Sequence, residues 1–311
     1  MKTVFLYAGQ GSQKVGMGQD IYDEFEEYRN VIDNAEVSFD LGDLMKNGPM
    51  EKMTQTEYTQ PCLAGFAAGV TAVLKANGIE PDAACGLSIG EYGALHAAGV
   101  MDAKTYINIT EYRGKAMRDA AEGINTSMSA IMGMEPEVIE EACAQWKGDG
   151  IVKIANYNCP GQYVICGDEE AVAATEAILK EQGCKRAIRL KVSGPFHTSY
   201  MTPAADKLKE LFATLEFSEP TIPVALNLTG EFYDKDSQDV KEVLCQQVQN
   251  SVRMEKDLET LIKWGADEFI EIGPGKALTG FLKKTAKKLG VDVKAYNIET
   301  AEDIKNLLAS R

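Results

Sequence analysis

A serine between glycines is the feature of this sequence that most directly suggests chemistry. The pattern G-x-S-x-G, which places a serine on a sharp turn between a strand and a helix, is matched by Gly86-Leu87-Ser88-Ile89-Gly90. The glycines let the backbone close tightly because they lack a Cβ atom. The residue after the serine begins the helix, so its N–H has no helical partner and can donate to an oxyanion. The pattern favours a nucleophile at Ser88, with a purely structural turn as the alternative.

A serine hydroxyl needs a base in order to attack at neutral pH, and histidine is the usual one. The chain has two histidines. His96 follows Ser88 on the same predicted helix at about 12 Å along the axis, given ~1.5 Å per residue, so we expect it to be a packed or surface residue. His197 lies in a turn, Gly194-Pro195-Phe196-His197. We predict that His197 is the base; the alternative is an ordinary loop histidine.

Arg113 lies on a predicted helix among small and apolar residues. A guanidinium there can pair with a structural carboxylate, for which Glu111 and Asp119 are available. It can also bind a substrate carboxylate through two parallel hydrogen bonds, a task that its planar fork fits better than lysine does. The spacing of the residues leaves both interpretations open.

The glycine-rich segment Gly9-Gln10-Gly11-Ser12-Gln13 follows a predicted strand and therefore resembles a nucleotide-binding loop. A dinucleotide fingerprint would need glycine where Lys14 stands, and the pattern G-x-x-x-x-G-K-[ST] is absent from the sequence. We therefore exclude NAD(P) and ATP sites. Exposed N–H groups in this turn remain able to help bind an oxyanion.

Alternating strands and helices must position these residues. We predict a buried strand at 4–8, helices at 20–35, 60–76 and 89–98, and a further helix from 103. Toward the C-terminus we expect a helix at 239–249, a strand at 268–272 and, after Gly273-Pro274-Gly275, a last helix.

The rhythm changes in the middle of the chain. Between 124 and 193 we predict strands at 128–133, 152–156, 162–167 and 186–192, with helices at 136–146 and 168–182. The order β-α-β-β-α-β is the ferredoxin-like pattern. The expected fold class is therefore α/β, with a large α/β-hydrolase-like domain (1–123 and 194–311) and an inserted ferredoxin-like α+β subdomain (124–193).

Composition narrows the class of protein. The 311 residues include 47 acidic and 32 basic ones, a net charge of −15, which argues against nucleic-acid binding. No stretch reaches the ~18 apolar residues of a membrane helix. Seven cysteines without a C-x-x-C pair fit reduced thiols in the cytoplasm and provide no zinc-site spacing. We expect a cytoplasmic monomer without metal or cofactor.

The motifs together resemble the malonyl-CoA:acyl carrier protein transacylase family, and they run through the whole chain in order. They are Gly9-Gln10-Gly11-Ser12-Gln13, Tyr58-Thr59-Gln60-Pro61, Gly86-Leu87-Ser88-Ile89-Gly90-Glu91-Tyr92, Tyr112-Arg113-Gly114-Lys115-Ala116-Met117, Asn156-Tyr157-Asn158 with Pro160-Gly161-Gln162, Gly194-Pro195-Phe196-His197 and Glu271-Ile272-Gly273-Pro274-Gly275-Lys276.

The resemblance implies a role for each matching position. Ser88 would be the nucleophile, His197 its base and Arg113 the partner of the malonyl carboxylate. The oxyanion hole would be formed by Gln10 with the Ile89 amide.

Two further positions follow from the same resemblance. Gln247 would orient the histidine through its backbone carbonyl, in place of a triad aspartate, and Phe196 would select malonyl over branched groups. The chain departs from the family at Leu87, Ser251 and Met254, where histidine, proline and tryptophan are usual. None of these changes removes a group with an implied catalytic role.

The implied partner, an acyl carrier protein, is acidic as a class, so docking on this acidic chain needs a local basic patch. On a helical wheel, apolar residues of the C-terminal helix fall on one face and lysines on the other. We predict docking at Lys283, Lys284 and Lys287; the alternative is an ordinary solvated face.

The expected activity is transfer of malonyl from malonyl-CoA, a coenzyme A thioester used as substrate, to the phosphopantetheine thiol of acyl carrier protein. A seryl ester would be the intermediate, and the product would supply fatty-acid synthesis. The alternatives are a serine hydrolase of esters or thioesters, an acyltransferase acting in trans on polyketide synthesis, and a non-catalytic carrier-docking module.

Overall fold

The computed structural model describes residues 2–190 and 194–311, and two four-stranded sheets dominate this part of the chain. The strands are β1 (Thr3–Tyr7), β2 (Ala83–Gly86), β3 (Thr126–Met132), β4 (Val152–Cys159), β5 (Gln162–Asp168), β6 (Arg186–Arg189), β7 (Ala225–Leu226), β8 (Glu231–Phe232), β9 (Glu268–Ile272) and β10 (Lys294–Ile298).

Fourteen α-helices are found in the described residues, together with a 3-10 turn at Ser199–Met201. The helices are α1 (Gln19–Glu24), α2 (Glu26–Asp33), α3 (Leu41–Asn47), α4 (Met50–Met53), α5 (Thr56–Ala76), α6 (Ile89–Ala97), α7 (Ala103–Ala121), α8 (Pro136–Ala144), α9 (Glu169–Glu181), α10 (Thr202–Phe212), α11 (Val240–Gln249), α12 (Met254–Lys263), α13 (Ala277–Leu289) and α14 (Ala301–Ala309).

The first sheet is parallel, with strand order β10-β9-β1-β2. Parallel strands are covered by helices on both faces and read as continuous apolar runs. Strand β1 shows this pattern, because all five of its residues are buried. The turn after β2 leads directly into α6, so the carboxyl edge of this sheet presents the G-x-S-x-G segment.

The second sheet is antiparallel, with strand order β4-β5-β3-β6. Alternate residues of its strands face opposite sides. On β3, Ile131 packs with helices α8 and α9, whereas Met128 and Ala130 join the core of the larger part of the chain. The fold is thus α/β, with a parallel sheet and a separate antiparallel sheet.

Several predicted boundaries need correction. The predicted helix at 20–35 is two helices, since Phe25 has an extended backbone (φ −114°, ψ 120°). This break lets both Ile21 and Tyr28 be buried. The helix predicted at 60–76 begins earlier, at Thr56, and continues through Pro61. Residues 191 and 192 of the strand predicted at 186–192, and residue 193 at the predicted domain boundary, lie outside the described residues.

Three elements near the C-terminus were not predicted, namely α12, β10 and α14. Strand β10 is a parallel edge strand beside β9, and only its last residue, Ile298, is buried. The charged and half-exposed residues that precede it give a weak apolar signal. Within residues 2–190 and 194–311, no helix is both long and apolar enough to span a bilayer.

Candidate active site

Ser88 lies at the turn between β2 and α6, in a backbone conformation that only a tightly packed site would impose. Its φ of 55° falls in the left-handed region, which non-glycine residues rarely adopt. A Cβ on Gly86 would lie 2.1 Å from the Gly90 backbone, and one on Gly90 would lie 2.1 Å from the Tyr7 carbonyl oxygen. Glycine is therefore required at both positions for the turn to pack against β1.

His197 meets Ser88 across the cleft, as predicted. Its Nε2 lies 2.7 Å from the Ser88 Oγ, although the two residues are 109 positions apart in sequence. The other ring nitrogen, Nδ1, lies 3.0 Å from the carbonyl oxygen of Gln247 and 3.1 Å from that of Asn250. Carbonyl oxygens only accept hydrogen bonds, so Nδ1 carries the proton and Nε2 is left free to accept from the serine.

The environment of His197 keeps the imidazole neutral. Burial and the nearby Arg113 guanidinium lower the pKa of His197 to about 4, despite the two carbonyl hydrogen bonds that raise it. Among the described residues, no carboxylate hydrogen bonds to this histidine. The ring is therefore neutral, and the carbonyl oxygens of Gln247 and Asn250 fix its orientation through Nδ1.

Arg113 is fully buried, and its guanidinium reaches Ser88 Oγ. One terminal nitrogen donates to Ser88 Oγ at 3.2 Å and to the side-chain oxygen of Gln247 at 3.0 Å, and the other donates to Gln60 at 2.9 Å. Neither of the structural partners considered above, Glu111 and Asp119, contacts it: these carboxylates pair with Lys115 and with Arg118 and Lys207. In the described part of the chain Arg113 forms no ion pair.

The charge on Arg113 also lacks a neutralising neighbour. Burial lowers the pKa of the guanidinium from its ordinary value, but arginine remains protonated in proteins. The carboxyl that influences this pKa is Glu91. Burial raises the pKa of Glu91 to about 8, so Glu91 is mostly protonated at pH 7. A buried cation with neutral surroundings favours an incoming anion.

Two backbone N–H groups near Ser88 are available to an oxyanion. Ile89 is the first residue of α6, and Gln10 follows the carboxyl end of β1. Within residues 2–190 and 194–311, neither backbone N–H donates to a protein group. Both residues line the same small cavity as Ser88 and His197, of about 150 Å³. The pair can serve as an oxyanion hole.

The two sheets enclose this cavity together. The antiparallel sheet contributes four residues that face Ser88, namely Met128, Asn156, Asn158 and Val164. The rest of the lining consists of Gln60, Leu87, Met117, Leu190 and Phe196. Phe196 is buried and lines the cavity together with the adjacent His197. Apolar walls around few polar groups are typical of small-molecule sites.

The unusual residues near Gln247 fit the local structure. Ser251 donates its hydroxyl to the Ile154 carbonyl, and the next residue, Val252, donates its N–H to Ala155. Met254 is fully buried. The segment that presents the Gln247 carbonyl is thus anchored to the antiparallel sheet without the proline that the family usually has.

Sequence reasoning missed four polar residues of this site: Glu91, Asn227, Asn250 and Asp257. Asn227, on the loop after β7, accepts the Ser88 N–H and contacts both buried carboxyls. The sequence could have indicated Glu91, because it follows Ser88 by three residues, a spacing that places both on the same side of a helix. Asn227 and Asp257 come from distant segments with no motif around them, so only the fold reveals them.

Comparison with known proteins covers nearly the whole chain. The family model for the acyl transferase domain matches residues 4–307. A malonyl CoA-acyl carrier protein transacylase from Bacillus subtilis (strain 168) is 38% identical over 291 residues, which is 93% of this chain and 92% of the relative.

Solved structures give the same result. The crystal structure of MCAT from Streptococcus pneumoniae is 39% identical and has a TM-score of 0.93, with each chain fully covered. A malonyl-transacylase, PlMCAT, solved in complex with the type II PKS acyl-carrier protein AntF, is 33% identical with a TM-score of 0.94, again with full coverage of both chains.

The lowered pKa of His197 predicts an unusual pH profile. Because the imidazole stays neutral below its ordinary pKa of 6.5, modification of Ser88 by an uncharged fluorophosphonate should proceed undiminished down to about pH 5.5. Its rate should then fall with a midpoint near pH 4. The rate is measured by intact-protein mass, with circular dichroism at each pH to confirm folding.

The Arg113→Ala variant is the matched control, since loss of the neighbouring cation should move the midpoint upward. A wild-type midpoint at pH 6.5 would contradict the lowered pKa of His197. A modification rate that does not depend on His197 would contradict its role as the base.

Proposed function

The chain belongs to the malonyl-CoA:acyl carrier protein transacylase family, and from this membership and the cleft geometry we propose that it transfers malonyl groups from malonyl-CoA to acyl carrier protein. The observation that carries the proposal is the Arg113 guanidinium, buried, without an ion-pair partner in the described residues, and 3.2 Å from Ser88 Oγ. A malonyl ester on Ser88 places its free carboxylate only three bonds from that oxygen. Arg113 can therefore bind it.

The first half-reaction forms the seryl ester. His197 Nε2 takes the proton of Ser88, and Oγ attacks the thioester carbonyl carbon of malonyl-CoA. The resulting oxyanion accepts hydrogen bonds from the Ile89 and Gln10 N–H groups, each worth roughly 3–4 kcal/mol by analogy with other oxyanion holes. When the C–S bond breaks, the imidazolium returns its proton to the coenzyme A thiolate.

The second half-reaction runs the same steps in reverse order. His197 takes the proton of the carrier's phosphopantetheine thiol, whose sulfur attacks the seryl ester. The C–Oγ bond breaks, the proton returns to Ser88, and the malonyl thioester of the carrier leaves. Gln247 supports both halves, because its carbonyl orients His197 while its side chain accepts from Arg113 and donates to the Ser88 carbonyl.

Selectivity follows from charge and space. An acetyl group would leave the buried Arg113 cation without an anion, which weakens binding. Phe196 limits the space beside the ester, so a methyl branch at the malonyl carbon would be excluded.

Simple hydrolysis of neutral esters requires neither the buried Arg113 cation nor the space limit set by Phe196, which disfavours the serine-hydrolase alternative. Intact Ser88 and His197 in contact likewise disfavour a non-catalytic docking module.

The carrier and the pathway extend the proposal. Transfer to the carrier of fatty-acid synthesis is the main assignment. The likeness to PlMCAT, which was solved with a type II PKS carrier, supports delivery to polyketide synthesis as the second candidate.

We further propose a cytoplasmic monomer, with an α/β-hydrolase-like domain formed by 1–123 and 194–311 and a ferredoxin-like subdomain inserted at 124–193.

The lysine face of α13 is the proposed docking surface. Lys283, Lys284 and Lys287 are exposed, whereas Leu278, Phe281 and Leu282 of the same helix are buried. Lys284 contacts Gln162, which follows the cavity-lining Asn158 by four residues. Because the chain extends by at most ~3.5 Å per residue, the Cα atoms of Gln162 and Asn158 lie within about 14 Å of each other. Since Lys284 contacts Gln162, the lysine face of α13 lies near the cleft. Lys288 differs, since it pairs with Glu255 and Glu259.

Removing the guanidinium tests the substrate assignment. In Arg113→Ala, we expect kcat/KM for malonyl-CoA to fall by about 100-fold or more, in line with ~3 kcal/mol for a charge-assisted hydrogen bond. Acylation of Ser88 by acetyl-CoA should fall much less or rise. The rate of acyl transfer to the carrier thiol is measured for both substrates. Equal losses of kcat/KM for malonyl-CoA and acetyl-CoA would rule out the interaction between Arg113 and the malonyl carboxylate.

Charge reversal tests the docking surface. The triple variant Lys283→Glu, Lys284→Glu, Lys287→Glu should raise KM for the carrier about tenfold and leave KM for malonyl-CoA unchanged, because it alters long-range attraction and not the cleft. Lys288→Glu serves as the matched control, since this lysine is already paired. Unaltered carrier kinetics in the triple variant would remove the assignment.

A further inference from the structure

Asn227 is a fully buried side chain that contacts the backbone of the Ser88 turn on both sides. Its Oδ1 accepts the N–H of Ser88 at 2.7 Å, and its Nδ2 donates to the Gly86 carbonyl at 2.8 Å. The amide therefore links Gly86, at the end of β2, to Ser88 in the turn.

The orientation of this amide is determined by its partners. Besides the Gly86 carbonyl, Nδ2 donates to Oδ2 of Asp257 at 2.8 Å. Both N–H bonds of the side chain are then used on groups that accept. A flipped amide would set its NH₂ group against the N–H of Ser88, where two donors would meet. Only the observed orientation satisfies all three contacts.

Two buried carboxyls hold Asn227 in place from separate helices. Glu91 on α6 accepts the backbone N–H of Asn227 at 2.6 Å, and Asp257 on α12 accepts from its side chain. Both acids are fully buried, and burial raises the pKa of Glu91 to about 8 and of Asp257 to about 7. In the described residues, each has one oxygen without a hydrogen-bond partner. Neither is used in the acyl-transfer steps, and each contacts Asn227 from a different helix.

We propose that Asn227 is a positioning residue for the nucleophile, holding Ser88 in its left-handed conformation through the Ser88 N–H. This proposal rests on the nucleophilic role given to Ser88 above. It also assigns the N–H groups of the turn: that of Ser88 belongs to Asn227 and is structural, whereas that of Ile89 is left for the oxyanion. Glu91 and Asp257 act one step further out, through Asn227.

The kinetic consequence separates this role from substrate binding. Asn227 does not line the cavity, and it has no hydrogen bond to Arg113 or Gln60. Without it, Ser88 can relax toward a common backbone conformation, which moves Oγ relative to His197 and the Ile89 amide. A displacement of about 1 Å at a reacting atom can cost on the order of 100-fold in rate. The loss should therefore fall on kcat.

The experiment compares Asn227→Ala with Asn77→Ala. Asn227→Ala should lower kcat for malonyl transfer by about 100-fold, with KM for malonyl-CoA within about twofold of wild type. Fluorophosphonate modification of Ser88 should slow by a similar factor. Asn77→Ala is the matched control, because it also removes an Nδ2 hydrogen bond to a backbone carbonyl, that of Val73, but at the C-terminal end of α5, and we expect it to keep the wild-type rate.

If Asn227 had only a structural role, Asn227→Ala would lower the thermal stability of the protein, and the molecules that remain folded would keep the wild-type rate. Wild-type kcat in folded Asn227→Ala, or a loss confined to KM, would overturn the proposal. Fluorophosphonate reactivity that is lost in Asn227→Ala, in a protein whose wild type is not acylated by malonyl-CoA, would sustain the positioning role and reject the proposed function.

A measurement on the wild type covers the case in which Asn227→Ala does not fold. Amide hydrogen exchange resolved at single residues should show the Ser88 N–H strongly protected and the Ile89 N–H exchanging at least tenfold faster, since only the former donates to a buried group. Equal and fast exchange at both amides would overturn the assignment.

Discussion

The hydrogen bond between Ser88 and His197 is the interaction around which the cleft is built. It joins two residues that both have left-handed backbones, with φ of 55° and 61°. Each of these conformations is costly, by about 1–3 kcal/mol, and each persists because surrounding contacts leave no alternative. Glycines and Asn227 hold the serine turn, and carbonyl oxygens of Gln247 and Asn250 hold the imidazole.

A second constraint is the charge on Arg113. A buried guanidinium without an ion-pair partner is normally unfavourable. Here the guanidinium donates hydrogen bonds to the side-chain oxygens of Gln60 and Gln247, which solvate it with neutral dipoles, and Glu91 is kept largely protonated by burial. The proposed function supplies the missing anion, because the malonyl carboxylate arrives with the substrate. The same cation lowers the pKa of His197, so one group acts on both the proposed carboxylate site and the proposed base.

The sequence was sufficient for the features that are local or carried by motifs. It predicted the Ser88 turn and the β-α-β-β-α-β order, and it singled out His197, which the fold brings to Ser88. It could not decide whether Arg113 pairs with Glu111 or Asp119, because that depends on the direction of a helix face. Asn227 and Asp257 were missed since long-range contacts gather them. Strand β10 was missed because an exposed edge strand needs little apolar character.

The most direct test of the account is the intact-protein mass after mixing with malonyl-CoA in the absence of carrier. The account predicts a stable malonyl adduct on the wild-type chain, none on Ser88→Ala, and release of the adduct only when a carrier thiol is added. Rapid production of free malonate without carrier would show a hydrolase. A wild-type protein that forms neither adduct nor product would contradict the central claim that Ser88 and His197 form a reactive pair.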